Sequence, residues 1–446
     1  MAQKMTAGEA LLAQLMSVPE YLRPKDQKVF ALMCETAGGL GQGGANDAGL
    51  AATIYQMLGG AGGYGDDHPP ASVVFPIEHR LHLDCGNEWY WISANLMGGS
   101  DGASKKISLL IDMLRIRVIS KAVQEQAGWT DAECQVVWNA VTCVIADGAG
   151  VRMIRRRPNV QWAAVGGKVA FPDGESFVYS CGPDSMTGSV DVLPLNVVVD
   201  DGDNIRFDLN LSTDMPAKTA FFLQGKNGIT PDPTPGIYYS WPQLRVEGQI
   251  HVEGQQYPMQ GTGWIDHQLL AWDTPSPPSF TQPEFSGWNW CQFNFDNGEA
   301  YTAAAFQTGA IGTNKLTPYG FYLRRNGGVW DAEYAIGGLT IDNLIPTLHD
   351  VFQPTAWNYA AVSLESGAEL IVSPAPWILD GSFETSDLAV PSEVPVTVAA
   401  ILRSKGADGA DVIRAIGGAG YCETVGFEPR GLYMTRAVAH LNDAQS

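Results

Sequence analysis

Two carboxyl groups in this chain are flanked by indoles. Asp266 lies in the run Gly261-Thr262-Gly263-Trp264-Ile265-Asp266-His267-Gln268. If that run is a strand, alternation sets Trp264 and Asp266 on one face. A carboxyl sheltered by apolar groups keeps its proton near neutral pH, and an indole face steadies a positive charge. Together they suit acid chemistry on an isolated alkene: protonation of carbon to a tertiary cation, then capture by water. Glu88 precedes Trp89 in Asn87-Glu88-Trp89-Tyr90-Trp91 and is the second carboxyl candidate. Asp266 and Glu88 are therefore the expected catalytic groups. Trp89, Trp91, Trp264 and His267 are the expected walls around the substrate.

A pericyclic reaction asks for less. It needs a shaped apolar chamber and one or two hydrogen-bond donors to polarise an activating carbonyl. Gln224 and Asn227, in Gln224-Gly225-Lys226-Asn227-Gly228, and Tyr239 and Trp241, in Gly236-Ile237-Tyr238-Tyr239-Ser240-Trp241-Pro242, are the candidates. A third use of the same chamber is to carry a lipophilic ligand without turnover.

Each of these residues also has a plainer reading. Asp266 pins a turn by accepting backbone N–H groups. Glu88 is a buried strand acid paired with Arg115 or Arg117. His79 and His82 are structural histidines, because no further Asp, Glu or Cys completes a metal set around them. The tryptophans are core, Gln224 to Gly228 is a turn, and Tyr421 and Glu423 close a C-terminal barrel. No Gly-x-Ser-x-Gly elbow supports a serine hydrolase. The glycine runs at 38–44 and 59–65 lack the preceding strand and Walker lysine of a nucleotide site.

Composition bounds the partners. The 446 residues carry 27 Lys and Arg against 48 Asp and Glu, a formal charge of −21. That surplus argues against a nucleic-acid partner and against an anionic membrane surface. A 45% hydrophobic content with 13 Trp, 15 Tyr and 16 Phe is ample for sizeable cores. No stretch has the roughly 20 apolar residues of a membrane span, and the first residues do not form a signal-peptide core. Seven scattered cysteines without a Cys-x-x-Cys pair fit reduced thiols and a cytoplasmic setting. The expected partner is a hydrophobic small molecule, with no metal or organic cofactor.

The elements that must hold these residues are mostly strands. Residues 1–70 read as a helical extension. Thr6 and Glu9 form a capping box ahead of Leu11, Leu12, Leu15 and Met16. A second helix starts at Asp26 and buries Val29, Phe30, Leu32 and Met33. A third runs from Leu50 to Leu58. These helices lie against their own chain, or form the arm of a homodimer. From about residue 72 the pattern is β. Leu244, Val246, Gly248, Ile250 and Val252 alternate with polar residues, the mark of a strand with one wet face. Asp296-Asn297-Gly298, Asn326-Gly327-Gly328 and Ser366-Gly367 read as hairpin turns. Thr130 to Ile145 combines a capping box (Thr130, Glu133) with a β-branched run, so a helical turn followed by a strand is expected. Thr274-Pro275-Ser276-Pro277-Pro278 is the best linker. It divides a β half at 71–274 from another at 275–446, each a barrel or a sandwich.

The ordered set of motifs resembles a known family. Phe75-Pro76-Ile77-Glu78-His79-Arg80-Leu81-His82 is similar to its FPxDHxxH stretch, with Glu78 in place of Asp. Trp89-Tyr90-Trp91 stands where a Trp-Trp-Tyr triplet is usual. The QGxxG and YYSxPxLxVxG stretches follow at 224 and 238, and a GxxWxDxxW-like turn at 261, with Leu269 near the usual aromatic. Gly287-Trp288-Asn289-Trp290 and Gly417-Gly418-Ala419-Gly420-Tyr421-Cys422-Glu423 complete the series. Over about residues 72–430, less closely from 105 to 215, the chain resembles the lipocalin-like family of carotenoid 1,2-hydratase, AttH-type proteins, kievitone hydratase and fungal decalin-forming Diels–Alderases. The resemblance implies an all-β fold of two tandem lipocalin-like barrels with a hydrophobic pocket in or near the first. It further implies a cofactor-independent enzyme acting on a polyene, terpenoid or polyketide, by hydration or, alternatively, by pericyclic cyclisation.

Overall fold

The computed structural model describes residues 4–41, 46–58, 62–64, 73–99, 105–215, 221–222, 236–270, 287–307, 319–326, 328–348, 350–382, 392–425 and 432–444. Gln224 and Asn227 and the 274–278 linker lie outside the described residues. Among the described residues no helix is long and apolar enough to cross a membrane.

The helical extension forms where its caps place it. α1 (Ala7–Ser17) starts from Thr6, whose hydroxyl accepts the Glu9 N–H while the Glu9 carboxylate accepts the Thr6 N–H. α2 (Gln27–Gly39) starts from Asp26, and α3 spans Asp47–Leu58. α1 buries Leu11 and Leu15 completely; in α2 Met33 is fully buried and Val29, Phe30 and Leu32 partly so. These faces meet Ile116, Val118, Val136, Trp138 and Trp162 on the outside of the first barrel. Gln14 ties the layers together, donating to Gly62 O at 2.6 Å and accepting the Ser120 N–H at 2.7 Å.

Thirteen antiparallel strands make the first sheet: β1 (Asn87–Gly98), β2 (Lys105–Arg117), β3 (Gln135–Asp147), β4 (Gly150–Arg155), β5 (Asn159–Trp162), β6 (Val169–Ala170), β7 (Phe177–Cys181), β8 (Asp184–Ser189), β9 (Val192–Asp200), β10 (Ile205–Ser212), β11 (Phe221–Phe222), β12 (Gly236–Val252) and β13 (Gln255–Leu270). Eleven of them follow the order β4-β3-β2-β1-β13-β12-β10-β9-β8-β7-β6, while β5 pairs with β3 and β11 with β12. The sheet curls until β3 and β7 share one core, and Asn139 of β3 donates to Asp184 of β8 at 3.1 Å between its two ends. Before β3, Thr130 and Glu133 cap a single turn at Ala132–Cys134, so both signals in that stretch are met in succession. A short helix, α4 (Lys121–Ala127), precedes that turn and carries no clear periodic signal.

The second sheet is a closed eight-stranded barrel: β14 (Gly287–Phe295), β15 (Ala300–Gln307), β16 (Tyr319–Asn326), β17 (Val329–Pro346), β18 (Phe352–Ser363), β19 (Glu369–Pro376), β20 (Ser392–Lys405) and β21 (Asp411–Val425). The three expected hairpins are β14–β15, β16–β17 and β18–β19. Gly298 and Gly367 supply the positive φ at two of the turns. Both halves are thus lipocalin-like β structures behind a helical layer. One element departs from the sequence reading, which gives 275–446 wholly to the second barrel. α5 (Leu432–Asp443) is helical, and its Ala437 and Leu441 pack among α2 and α3 on the first barrel.

Candidate active site

Strand alternation sorts the expected site residues onto two faces of one ladder. On β1, Glu88 and Tyr90 point into the first barrel, while Trp89 and Trp91 point out of it. On β13, His267 points in and Trp264 and Asp266 point out; on β12, Tyr239 and Trp241 point in and Tyr238 and Ser240 out. Asp266 and Glu88 therefore lie back to back on opposite sides of the sheet.

The inward group is a buried network around Glu88. The Glu88 carboxylate takes His82 Nδ1 at 2.9 Å, the His82 N–H at 2.6 Å, His267 Nε2 at 2.8 Å and the Arg115 guanidinium at 3.2 Å. Burial opposes its charge, but His82 and His267 hold its pKa well below the usual carboxylate range. His82 also reaches Glu78 at 2.7 Å. Although burial works against it, Glu88 and Glu78 push the His82 pKa up to about 9. With Glu88 ionised, His267 donates to it from Nε2, and its Nδ1 takes the Tyr239 hydroxyl at 2.5 Å. The same hydroxyl lies 2.9 Å from His79 Nδ1 and 2.8 Å from Glu78 O. Tyr90 stacks on His267 at 4.2 Å, and Trp241 packs against His79 at 5.3 Å. Glu88 is thus paired with Arg115, and its surroundings favour an anion over an acid.

The outward group is different in kind. Ala140, Asp112, Trp91, Asp266 and Ser240 form one row across β3, β2, β1, β13 and β12. Asp266 is 1% exposed. Its carboxyl accepts the Ser240 hydroxyl, Trp264 Nε1 at 2.8 Å and the Tyr238 hydroxyl at 3.2 Å. All three donors are side chains, which leaves the turn-pinning reading without the backbone contacts it needs. Among the described residues no cation offsets the burial, and the Asp266 pKa is pushed up to about 7. Trp290 of β14 donates to Tyr238 at 2.9 Å, which links Asp266 to the second barrel.

The second barrel completes this face. Glu393 on β20 stands opposite Glu423 on β21, and Glu423 opposite Trp290 on β14. Trp91 Nε1 donates to Glu393 at 3.1 Å. Burial, with repulsion from Glu423 and Asp112, raises Glu393 well above its ordinary range; burial, with repulsion from Asp112 and Asp266, raises Glu423 to about 8; burial alone raises Asp112 to about 7. Trp91, Tyr238, Trp264, Trp290, Phe321 and Tyr421 form the apolar cluster between the barrels. Asp112, Glu423, Trp89 and Trp288 keep part of their surface accessible. Among the described residues no group of acids, histidines or cysteines converges as metal ligands would.

Asp112 and Glu393 were not among the expected site residues. Their only signal is a lone acid inside an apolar strand, as in Ile111-Asp112-Met113 and Ser392-Glu393-Val394. The glycines of two motifs let these rows form. A Cβ on Gly261 would sit 2.0 Å from Asn95 O, and one on Gly420 would sit 1.9 Å from Gln292 O.

An open groove of about 640 Å³ lies elsewhere, between α1, α3 and the β5 region, lined by Thr6, Asp47, Trp162 and Val165 among others. It holds none of the expected site residues.

Comparison with known proteins agrees with the architecture. The chain resembles the structure of an AttH candidate from Nitrosomonas europaea at 19% identity and a TM-score of 0.58, covering 82% of this chain and all of the other. It resembles kievitone hydratase from Nectria haematococca at 14% identity and a TM-score of 0.52, covering 81% of this chain and 96% of the other. At these identities the likeness is one of fold. A search of curated proteins found no match. The AttH-like family profile matches residues 66–334, more than half of the chain, and the protein belongs to the AttH-like family.

Proposed function

We propose that this protein is a cofactor-independent enzyme that hydrates an alkene of a hydrophobic polyene, terpenoid or polyketide at the boundary between its barrels. One observation carries the reading. Asp266 is a fully buried carboxyl with no cationic partner among the described residues, held by Ser240, Trp264 and Tyr238 beside indoles, with a pKa near neutrality. Such a group delivers a proton to carbon and leaves a carboxylate to face the cation it has made. The π bond breaks as the C–H bond forms, and Trp91 and Trp264 flank the tertiary cation. Water then forms the C–O bond and releases a proton, which returns the site to its starting state. Kievitone hydratase, a hydratase by name, shares this fold.

The test is incubation with acyclic terpenoids and prenylated phenols in deuterated water. The expected product has gained the elements of water, with one deuterium on carbon, and its formation collapses in Asp266→Asn. A cyclised product without deuterium, formed equally well by the variant, would establish the pericyclic reaction instead. Uptake without product would establish a carrier.

A further inference from the structure

Among the described residues, the four outward carboxyls have no counter-charge. Asp112 on β2, Asp266 on β13, Glu393 on β20 and Glu423 on β21 face the boundary, and so do the hydroxyls of Tyr238 on β12 and Tyr421 on β21. β1 and β14 add Trp89, Trp91, Trp288 and Trp290. No Lys, Arg or His among the described residues pairs with any of the four acids; His267 and Arg115 are on the other side of the sheet. Clustered acids with nothing to balance them are costly, and burial makes them more so.

An independent observation points to a ligand here. Gln292 is fully buried on the same outward face of β14 as Trp290, in the row next to Glu423. Its Nε2 donates to Ser93 of β1 at 2.6 Å, and its Oε1 has no hydrogen-bond partner. Turning the amide over only exchanges which end is left unmet. A buried polar atom without a protein partner marks the place of a water or of a guest. Asp112 Oδ1 is unmet in the same way.

We propose that the boundary between the barrels is a recognition site for positive charge, taking a hydrophobic ammonium into a cage of tryptophans and carboxyls. Indole faces attract quaternary and tertiary ammonium groups, and the four acids supply the charge to match. The proposal rests on the hydration reading and deepens it: the carbocation is the charge met in turnover, and an alkylammonium is its stable mimic. An ammonium guest lowers the pKa of the acids beside it, so binding releases protons. Affinity then rises with pH through about 7 to 8, where Asp112, Asp266 and Glu423 titrate.

The experiment compares dodecyltrimethylammonium with its uncharged isostere, in which carbon replaces nitrogen, by calorimetry on the full chain in two buffers of different ionisation heat. The expected result is an ammonium preference of at least about tenfold at pH 8, proton release on binding, and loss of the preference at pH 5.5. Glu393→Gln should shrink the preference while leaving uptake of the neutral isostere unchanged. Equal affinity for the two, tighter binding of the isostere, or no proton release would overturn the proposal. Asp266→Asn separates the two readings. If turnover survives in that variant while the ammonium preference holds in the wild type, the hydration reading fails and the site for charge stands.

Discussion

The indole N–H of Trp91, a residue of the first barrel, donates at 3.1 Å to Glu393, a residue of the second. In its own sheet Trp91 stands in register between Asp112 and Asp266. One indole therefore has a carboxyl on three sides. Trp91→Phe keeps the ring and removes the donor. Glu393 then loses its one described side-chain donor in a place water reaches poorly, at a cost of about 1–3 kcal/mol. Chemical denaturation should show that loss, and Tyr421→Phe, which removes a bond to Ser108 at 2.6 Å instead, should show a smaller one.

Asp266→Asn should separate stability from activity. The folded pKa is raised from the ordinary 3.8 to about 7. A raised carboxyl binds its proton more tightly when folded, so its contribution is complete below pH 3.8 and is lost as pH rises to about 7. That loss is worth on the order of 4 kcal/mol. Asn cannot ionise and avoids it. The variant should melt at a higher temperature than the wild type at pH 8 and match it near pH 4, while the proposed hydration falls by about 10² or more. Lower stability at pH 8 would mean that the three side-chain donors require an anion.

Much of this could be read from the residues, and the reasons differ by element. The caps at Thr6 and Thr130 and the hairpin glycines are local, and local chemistry decides them. Asp266 beside Trp264 was visible because two residues on one strand share a face. That Asp266 and Glu88 stand back to back was not, since it depends on which face of β1 and β13 each barrel takes. The meeting of Trp91 with Glu393 was further out of reach, because 302 residues separate them. α5 escaped for a similar reason: its Ala437 and Leu441 find their partners on α2 and α3, near the other end of the chain.

Glu88 should prove structural in its energetics. It is fully buried with Arg115, His82 and His267. Glu88→Gln leaves Arg115 buried without its anion and should cost about 3–5 kcal/mol. The pH dependence has a sign of its own. The His82 pKa is raised from 6.5 to about 9, so its contribution is complete below pH 6.5 and is lost as pH rises through about 9. On the order of 3 kcal/mol is at stake. The wild type should lose stability across that window, and Glu88→Gln should flatten the slope.

The helical layer should answer to its C-terminal end. Leu441 is fully buried among α2 and α3, which belong to the opposite terminus of the sequence. Leu441→Ala removes that contact and leaves a cavity, at about 2–5 kcal/mol. α1 reaches the same cluster through Leu11 and Leu15. The loss should therefore appear as faster amide exchange in α1 and α3, with β14–β21 unchanged. Exchange that accelerates in the second barrel as well would show that the layer holds both barrels in place. Exchange unchanged in α1 would show that its contacts with α2 and α4 hold it without help from α5.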